Sequence, residues 1–318
     1  MDREVGQDAR SFYDARYAHG YMDEWPDEKK ERVLRLIRSL RLPDRGRALD
    51  LGCGNGEFTG ILKKALPGWS IYGSDISSVA VENARMRCPD CSFFIIGGSE
   101  PDEKFDFLFT HHVLEHADNI QEIWVEIHRY LRTPGSVLHI LPCGHKGSLE
   151  YNLCMLKADG IDRDSGNRFY FEDKGHLRRL TAKQVNDCAI KYDLVLSEEF
   201  YSNQFYGALN WITLEAFGFI MHLTALRNTK DIVSSVQMIL LRASLLAIKF
   251  LRFPANTIDH KRNKMGKYQY ALLFFVLLPV YPVSKLTNML LKYWSNREWE
   301  HKRKEKNGSE MFLYYARA

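Results

Sequence analysis

An open α/β sheet is the fold class this sequence predicts, and three observations carry the expectation. Short apolar runs alternate with segments of helical periodicity between residues 47 and 141, and the first run stops at a glycine cluster, Gly52-Cys53-Gly54-Asn55-Gly56. The chain of 318 residues is 45% apolar and 26% charged, a globular composition with length enough to bury a core.

Residues 47–51 read as the first strand, since the apolar run ends in glycines, and 58–66 as a helix closed by Pro67-Gly68. Residues 70–74 form a second strand, 79–86 a second helix, 92–96 a third strand and 105–110 a fourth. The helix predicted over 121–131 places Ile123, Ile127, Tyr130 and Leu131 at helical spacing; Pro134-Gly135 then makes a turn before a fifth strand at 137–141. Such sheets bind ligands beyond the carboxyl ends of their strands. Periodicity reaches this open sheet and stops there.

The formal net charge of +4 hides an asymmetry. Residues 201–318 hold 17 Lys/Arg against 7 Asp/Glu, a net of +10, which leaves −6 for residues 1–200. A basic, apolar C-terminal third suits an anionic membrane surface or nucleic acid. The polar start MDREVGQDAR is unlike a secretory signal, so a cytoplasmic protein, peripheral at a membrane, is expected. Six cysteines in a chain this long do not make a disulfide framework, and Cys88-Pro89-Asp90-Cys91 lacks the second pair a zinc site wants.

The stretch AlaLeuAspLeuGlyCysGlyAsnGlyGlu, residues 48–57, carries most of the functional information. Glycines at 52, 54 and 56 let the chain turn sharply and a ligand approach the backbone. Glu57 stands where a dinucleotide loop would have its last glycine, and a carboxylate there repels a pyrophosphate. Asp50 adds a second negative charge, which suits the cationic sulfonium and ammonium of S-adenosylmethionine. Asp75, ending the second strand, can accept both ribose hydroxyls or cap the helix after it.

With these residues the chain resembles the class I S-adenosylmethionine-dependent methyltransferases, of the broad group that includes the ubiquinone-biosynthesis O-methyltransferases. The matching pieces are LeuAspLeuGlyCysGlyAsnGly (49–56), SerAspIleSer (74–77), PheAspPheLeu (105–108), HisHisValLeuGluHis (111–116) and the helix, ProGly and strand ending at Pro142. The resemblance implies a Rossmann-like, seven-stranded, mostly parallel sheet with an antiparallel last strand. It implies that Gly52, Cys53, Gly54 and Gly56 pack on the cofactor, that Asp50 lies near its amino group, that Asp75 holds the ribose and that Ile76 touches adenine. Thr110, His111 and His112 would face the methionine part. One departure stands out: Gly97-Gly98-Ser99 replaces an acid that often reaches the adenine, so Gly98 and Ser99 would offer backbone and packing alone.

His112-x-x-Glu115-His116 has the spacing of an inverted zinc-protease motif, but it follows a strand directly and so lacks the helix that chemistry needs. By resemblance to the quinone-pathway enzymes, His112, Glu115 and His116 occupy positions that hold a divalent metal, although His in place of an acid weakens the case for magnesium. The alternative is that Glu115 and His116 brace loop and helix. An oxygen acceptor gains from a base of near-neutral pKa, and His112, His116, His145 and His176 are the candidates. His176 lies in GlyHisLeuArgArgLeuThr (175–181) and has a helix-capping alternative.

The resemblance also divides the chain. Residues 1–46 would be a helical lid, with Tyr13, Arg16 and Tyr17 near the methionine end and an amphipathic helix near 29–40. Residues 47–200 would be the cofactor-binding core, 201–308 a helical insertion between strands six and seven, and 309–318 the closing strand. The insertion is apolar over 207–226, 236–253 and 270–283; Ser235, Arg242 and Lys249 form a narrow polar stripe, and basic runs at 261–267 and 302–306 flank the last segment. Fourteen uncharged residues are short of a membrane span, so an interfacial or re-entrant segment is expected, with Tyr293, Trp294 and Trp299 fitting the aromatic belt of an interfacial helix. Burial in a helical subdomain or a homodimer interface is the other reading.

Together these features predict a methyltransferase acting on oxygen of an amphipathic or lipid-linked small molecule. The alternatives are an enzyme for a soluble metabolite or sugar whose insertion is a dimer interface, and a non-catalytic cofactor-binding scaffold. Nucleic acid is a poorer partner, because the positive charge lies among apolar helices rather than along a polar, aromatic groove.

Overall fold

The computed structural model describes residues 9–21, 25–98, 100–173, 175–261 and 265–317. Ser99, Arg262, Lys264 and Ala318 therefore lie outside the described residues. Two helices, α1 (Ala9–Ala18) and α2 (Asp27–Ser39), precede an alternation of β1 (Arg47–Leu51), α3 (Glu57–Ala65), β2 (Ser70–Asp75), α4 (Ser78–Arg87) and β3 (Ser92–Ile95). Then come β4 (Phe105–His111), α5 (Ile120–Tyr130), β5 (Leu131–Pro142), α6 (Leu149–Cys154), the short β6 (Ile161–Asp162) and β7 (Arg168–Phe169), α7 (Ala182–Ala189) and β8 (Val195–Ser202). The helices α8 (Tyr206–Ile212), α9 (Phe217–Leu223), α10 (Ile232–Lys261), α11 (Lys267–Leu277) and α12 (Tyr281–Lys302) separate β8 from β9 (Glu310–Arg317).

Seven strands form one sheet in the order β3-β2-β1-β4-β5-β9-β8. β1 to β5 pair in parallel, and β9 runs antiparallel to both β5 and β8. Strand order reverses between β1 and β4, and the crevice beyond their carboxyl ends is where an open α/β sheet takes its ligand. Pro134-Gly135 does not precede the fifth strand as a turn. Those residues sit within β5, where the pairing with β4 jumps from Phe105–Leu131 to Phe107–Ser136, so the extra residues form a bulge.

Each face of the sheet is covered. Val33, Leu36 and Ile37 of α2 pack with Phe58 and Leu62 of α3 over Phe107, Phe109 and Phe312. Trp124 and Ile127 of α5 join Val185 and Ala189 of α7 over Leu49, Leu51 and Tyr315 on the other face. Strands buried on both sides need apolar residues at successive positions, which is why Phe107, Leu108 and Phe109 follow one another in β4. A third core joins Leu153, Phe169, Ile212, Leu223, Met238 and Leu245, tying α8 to α10 against α6 and β7. The apolar segment 207–226 folds as two helices, α8 and α9.

Candidate active site

The cavity at the switch point is built on the turn after β1. Gly52, Gly54 and Gly56 all have positive φ, at 79°, 49° and 79°, a region that side chains with a Cβ avoid. Space adds to the requirement. A Cβ on Gly52 would lie 2.4 Å from Val113 Cγ2, and one on Gly54 would lie 2.9 Å from the Tyr17 hydroxyl. Gly56 faces elsewhere: its Cβ would meet Ala84 of α4 at 3.0 Å, and it does not line the cavity. The third glycine thus lets α3 pack on α4, and its predicted contact with a cofactor is corrected.

The loop is fixed by its own amides. Gly52 and Cys53 N–H both donate to the Ser74 carbonyl at 2.8 Å. Gly54 N–H donates to Asp75 Oδ2 and Ser77 N–H to Asp75 Oδ1, each at 2.9 Å. Asp75 therefore ties the glycine loop to the start of α4 while keeping lone pairs toward the cavity it lines. The helix cap is Ser77, whose hydroxyl accepts from Ala80 N–H.

Asp50 lines the same cavity and is 1% exposed. Thr59 Oγ1 donates to its Oδ2 at 2.6 Å, while its Oδ1 is buried without a hydrogen-bond partner. Burial pushes its pKa up to about 7, against the Thr59 hydrogen bond and with help from the Asp75 charge. An unpaired buried acceptor costs desolvation energy until a donor meets it. A cationic ligand in this cavity, of about 300 Å³, would supply that donor.

The N-terminal segment roofs the cavity. Tyr13, Tyr17, Tyr21 and Trp25 line it. Arg16 lies over the Tyr21 ring at 3.6 Å and binds Asp173 through two hydrogen bonds of 2.7 and 2.8 Å, so it clasps α1 to the segment before α7 rather than facing a ligand. Ile76 and Ile96 add apolar surface.

The histidines separate into distinct environments. His111 stacks on Phe58 with ring centroids 3.8 Å apart, and burial holds its pKa well below the usual value, so it is neutral. His112 has φ 55° and places Nδ1 2.8 Å from Glu115 Oε1. Its Nε2 is 3.0 Å from Lys29 Nζ and 3.3 Å from Glu310 Oε1. Burial and Lys29 oppose its protonation, but the Glu115 and Glu310 carboxylates outweigh them and raise its pKa. Burial would raise Glu115, yet the His112 and His116 imidazoles hold it down to about 2.

His116 also lines the cavity. Its Nδ1 lies 2.8 Å from the Gly175 carbonyl, which can only accept, so Nδ1 carries the proton and Nε2 the lone pair. Burial, then the neighbouring His176, push its pKa down to about 4. His176 packs edge-on against His116 and contacts Glu172 Oε1 at 3.1 Å; it does not cap α7, whose capping box is Thr181 with Gln184.

Other predicted site residues lie elsewhere. Thr110 is fully buried and bonds His139 Nδ1 at 2.7 Å, Gly98 is exposed outside the cavity, and His145 contacts the Lys306 carbonyl and stacks on Tyr201 away from it. Cys53 does line the cavity, and the six cysteines are free thiols. The predicted metal set is also altered: the ligand atoms of His112, Glu115 and His176 lie within 4.8 Å of one another, and those of His111, His112 and Glu310 do so too, with His116 in neither group.

Sequence reading misses Trp25, Lys29, Glu172 and Glu310. Lys29 Nζ is 2.5 Å from Glu310 Oε1, and Ser202 Oγ donates to Glu310 Oε2 at 2.9 Å. A usable signal exists for two of them. Lys29 falls four residues before Val33, on the apolar stripe of α2, and Glu310 stands just before the apolar and aromatic run 311–316 of the closing strand.

Parts of the chain are similar to known proteins. Residues 49–139 match the family described as methyltransferase domain. Trans-aconitate 2-methyltransferase of Variovorax paradoxus is 28% identical over 119 residues, 36% of this chain and 46% of that protein. Its counterpart from Escherichia coli O7:K1 is 26% identical over 117 residues, with 36% and 46% covered. The chain thus spans about half the length of the curated relatives it matches. Among solved structures, the YcgJ protein from Bacillus subtilis has a TM-score of 0.46 at 18% identity, covering 63% of this chain and 86% of that one. These matches do not single out the ubiquinone-biosynthesis group.

Proposed function

Taking residues 49–139 as a class I S-adenosylmethionine-dependent methyltransferase domain, we propose that this chain transfers a methyl group from S-adenosylmethionine to an oxygen of a small amphipathic or lipid-linked acceptor. The observation that carries the proposal is the buried, unpartnered Oδ1 of Asp50 on the cavity wall beside the glycine backbone. An ammonium group satisfies it; a pyrophosphate would be repelled.

Bound there, S-adenosylmethionine supplies a methyl group already activated on a cationic sulfur. The chain's own work is then alignment and the handling of one proton. Gly52 and Gly54 present backbone, Asp75 offers its spare lone pairs to ribose hydroxyls, and Ile76 with Ile96 packs on the base. The rings of Tyr13, Tyr17 and Tyr21 roof the cationic end, where aromatic faces are attractive. His116 takes the acceptor's proton at Nε2: Gly175 fixes its tautomer, its pKa of about 4 keeps it neutral but makes it a weaker base than a near-neutral histidine, and the Glu115 charge favours the imidazolium as the proton arrives.

A hydroxyl is a better acceptor here than a carboxylate. The cations beside cavity-lining residues, Lys29 next to His112 and Arg16 over Tyr21, are each committed to a carboxylate, Glu310 and Asp173. The trans-aconitate enzymes share less than half their length with this chain, so their substrate is a comparison compound rather than the expected one. His112, Glu115 and His176 have the donor types of a transition-metal site, but methyl transfer from a sulfonium needs no Lewis acid and none enters the proposal.

The test is calorimetry with S-adenosylhomocysteine, followed by transfer of labelled methyl to a hydroxylated isoprenoid or glycolipid, to trans-aconitate and to free sugars. Binding of the cofactor product with labelling of the lipid-linked hydroxyls is expected. A protein that ignores the methyl donor and takes a nicotinamide nucleotide ends the proposal; labelling of the soluble acid or sugars alone ends its acceptor half.

A further inference from the structure

α10 presents the wrong face to water. Between Asp231 and Asp259 its charged residues are Arg242, Lys249 and Arg252, and all three turn toward the protein. Arg242 donates to Thr224 Oγ1 at 3.0 Å and to the Thr224 carbonyl, and Lys249 to the Glu215 carbonyl. Arg252 donates to the Asn210 carbonyl at 2.8 Å, to its Oδ1 at 2.9 Å and to Thr213 Oγ1 at 2.6 Å. These partners sit at and just beyond the C-terminal ends of α8 and α9, where cations complement the helix dipole. The polar stripe read from the sequence is thus spent inside.

The outward face is mostly apolar, with Gln237 and Ser244 as exposed polar residues along it. Ile232 is 83% exposed, and Val236, Leu240, Ala243, Ala247 and Phe250 follow at spacings of three and four, all exposed. A helix of a soluble protein directs these two faces the other way. α11 continues the surface: none of its residues is buried, with Tyr268 94% and Phe275 75% exposed. On α12 exposed residues run from Val283, Leu286 and Leu290 through Tyr293 and Trp294 to Arg297 and Lys302, with Lys285 among the apolar ones paired to Asp259 and Glu300 among the basic ones. Apolar, then aromatic, then basic is the order of side chains met on leaving a bilayer.

We propose that the exposed face of α10, α11 and α12 lies in one leaflet of an anionic lipid membrane. Charge selects this occupant. Residues 201–318 carry a net of +10, so a second copy would bring like charge to the same face, whereas anionic lipid brings the opposite. The geometry is that of lying on the membrane rather than crossing it. Residues 232–260 are long and apolar enough to cross, but Met238 and Leu245 on the inner face belong to the third core. α11 and α12 meet at 84°, in a segment holding Pro279 and Pro282, so they do not form one straight span. Docking does not depend on methyl transfer.

Flotation of the full chain with phosphatidylcholine vesicles, with and without phosphatidylglycerol, tests the proposal. Wild type should float with the anionic vesicles, and about tenfold less without the anionic lipid. Leu272→Asp with Phe275→Asp should abolish flotation while leaving the thermal midpoint unchanged, since α11 buries nothing. Absence of flotation by the wild type overturns the proposal, as does equal flotation of the double variant. So does a lipid-free dimer, seen by light scattering, that the same two substitutions dissociate.

Discussion

Asp50 stands between two demands. Its carboxylate is buried, which favours the protonated form, yet a cationic ligand wants the charge. A folded pKa of about 7 lies above the roughly 3.9 of an unfolded aspartate, so the native state holds this proton longer. The stability that follows is complete below the unfolded value and is lost as pH rises toward the folded one. Affinity for the methyl donor moves the other way. It should rise roughly tenfold between pH 6 and pH 8, as one group near 7 ionises. Asp50→Asn should flatten that rise, weaken S-adenosylhomocysteine binding about tenfold to a hundredfold through the lost charge-assisted contact, and leave the fold as stable at pH 8. Calorimetry across pH on both proteins checks this, and a variant as pH-sensitive as wild type would refute the role. That Asp50, Gly52, Gly54, Asp75 and Ile76 gather at one cavity was legible in the sequence, because a turn, a backbone surface and a strand end each demand particular residues at fixed spacing. Gly56 was misread because its positive φ says nothing about which side of the loop is crowded. Thr110 and His145 were misread because strand ends reach both the cavity and the core.

At the scale of elements, two ion-pair systems join segments far apart in the chain. The first is the clasp of Arg16 on Asp173, with Asp173 part-exposed and its carboxyl held to about 2 despite burial by the Arg16 hydrogen bond. A pair this open is worth on the order of 1 kcal/mol or less. Arg16→Ala should therefore raise the S-adenosylhomocysteine Kd only a few-fold, while amide exchange over residues 9–18 quickens. Unchanged exchange would mean that ring packing alone holds the roof. The second system is buried. Arg179 binds Glu150 at 2.9 Å and Glu172 at 2.8 Å, and Glu150 Oε1 accepts from Trp211 Nε1 at 3.0 Å and Ser309 Oγ at 2.7 Å. It links α6, the segment before α7, α8 and the approach to β9. Arg179→Leu leaves two buried carboxylates facing each other, and urea unfolding should show a loss of about 3–5 kcal/mol. A loss under about 1 kcal/mol would show that the site repacks or admits water. No spacing in the sequence announces this network, since its members are close only after the sheet has formed.

At the scale of the whole molecule, the helices between β8 and β9 are legible as an apolar, basic block, but their attachment is not. Composition suggests a detachable module, whereas contacts tie it into the sheet. Trp299 of α12 packs on Phe312 of β9 at 5.1 Å and on Phe200 of β8 at 6.1 Å between ring centroids. Glu298 accepts from three successive amides, Phe205, Tyr206 and Gly207, at 2.9, 2.8 and 3.0 Å, so the start of α8 is completed by α12. The chain returning through α12 also delivers Glu310, which anchors Lys29 beside His112 and thereby α2. A structure wired this way has no boundary at which one part can melt while the other persists. Scanning calorimetry of the full chain should therefore give a single transition. Trp299→Ala should lower that one midpoint through the loss of about 2–4 kcal/mol of packing, less than for a fully buried tryptophan because the ring is only partly covered. It should also release S-adenosylhomocysteine at the same temperature as the helices unfold, although Trp299 does not line the cavity. Two separate transitions, with product binding kept through the first, would mean that the helical block is an independent domain and that the contacts through α12 carry little energy.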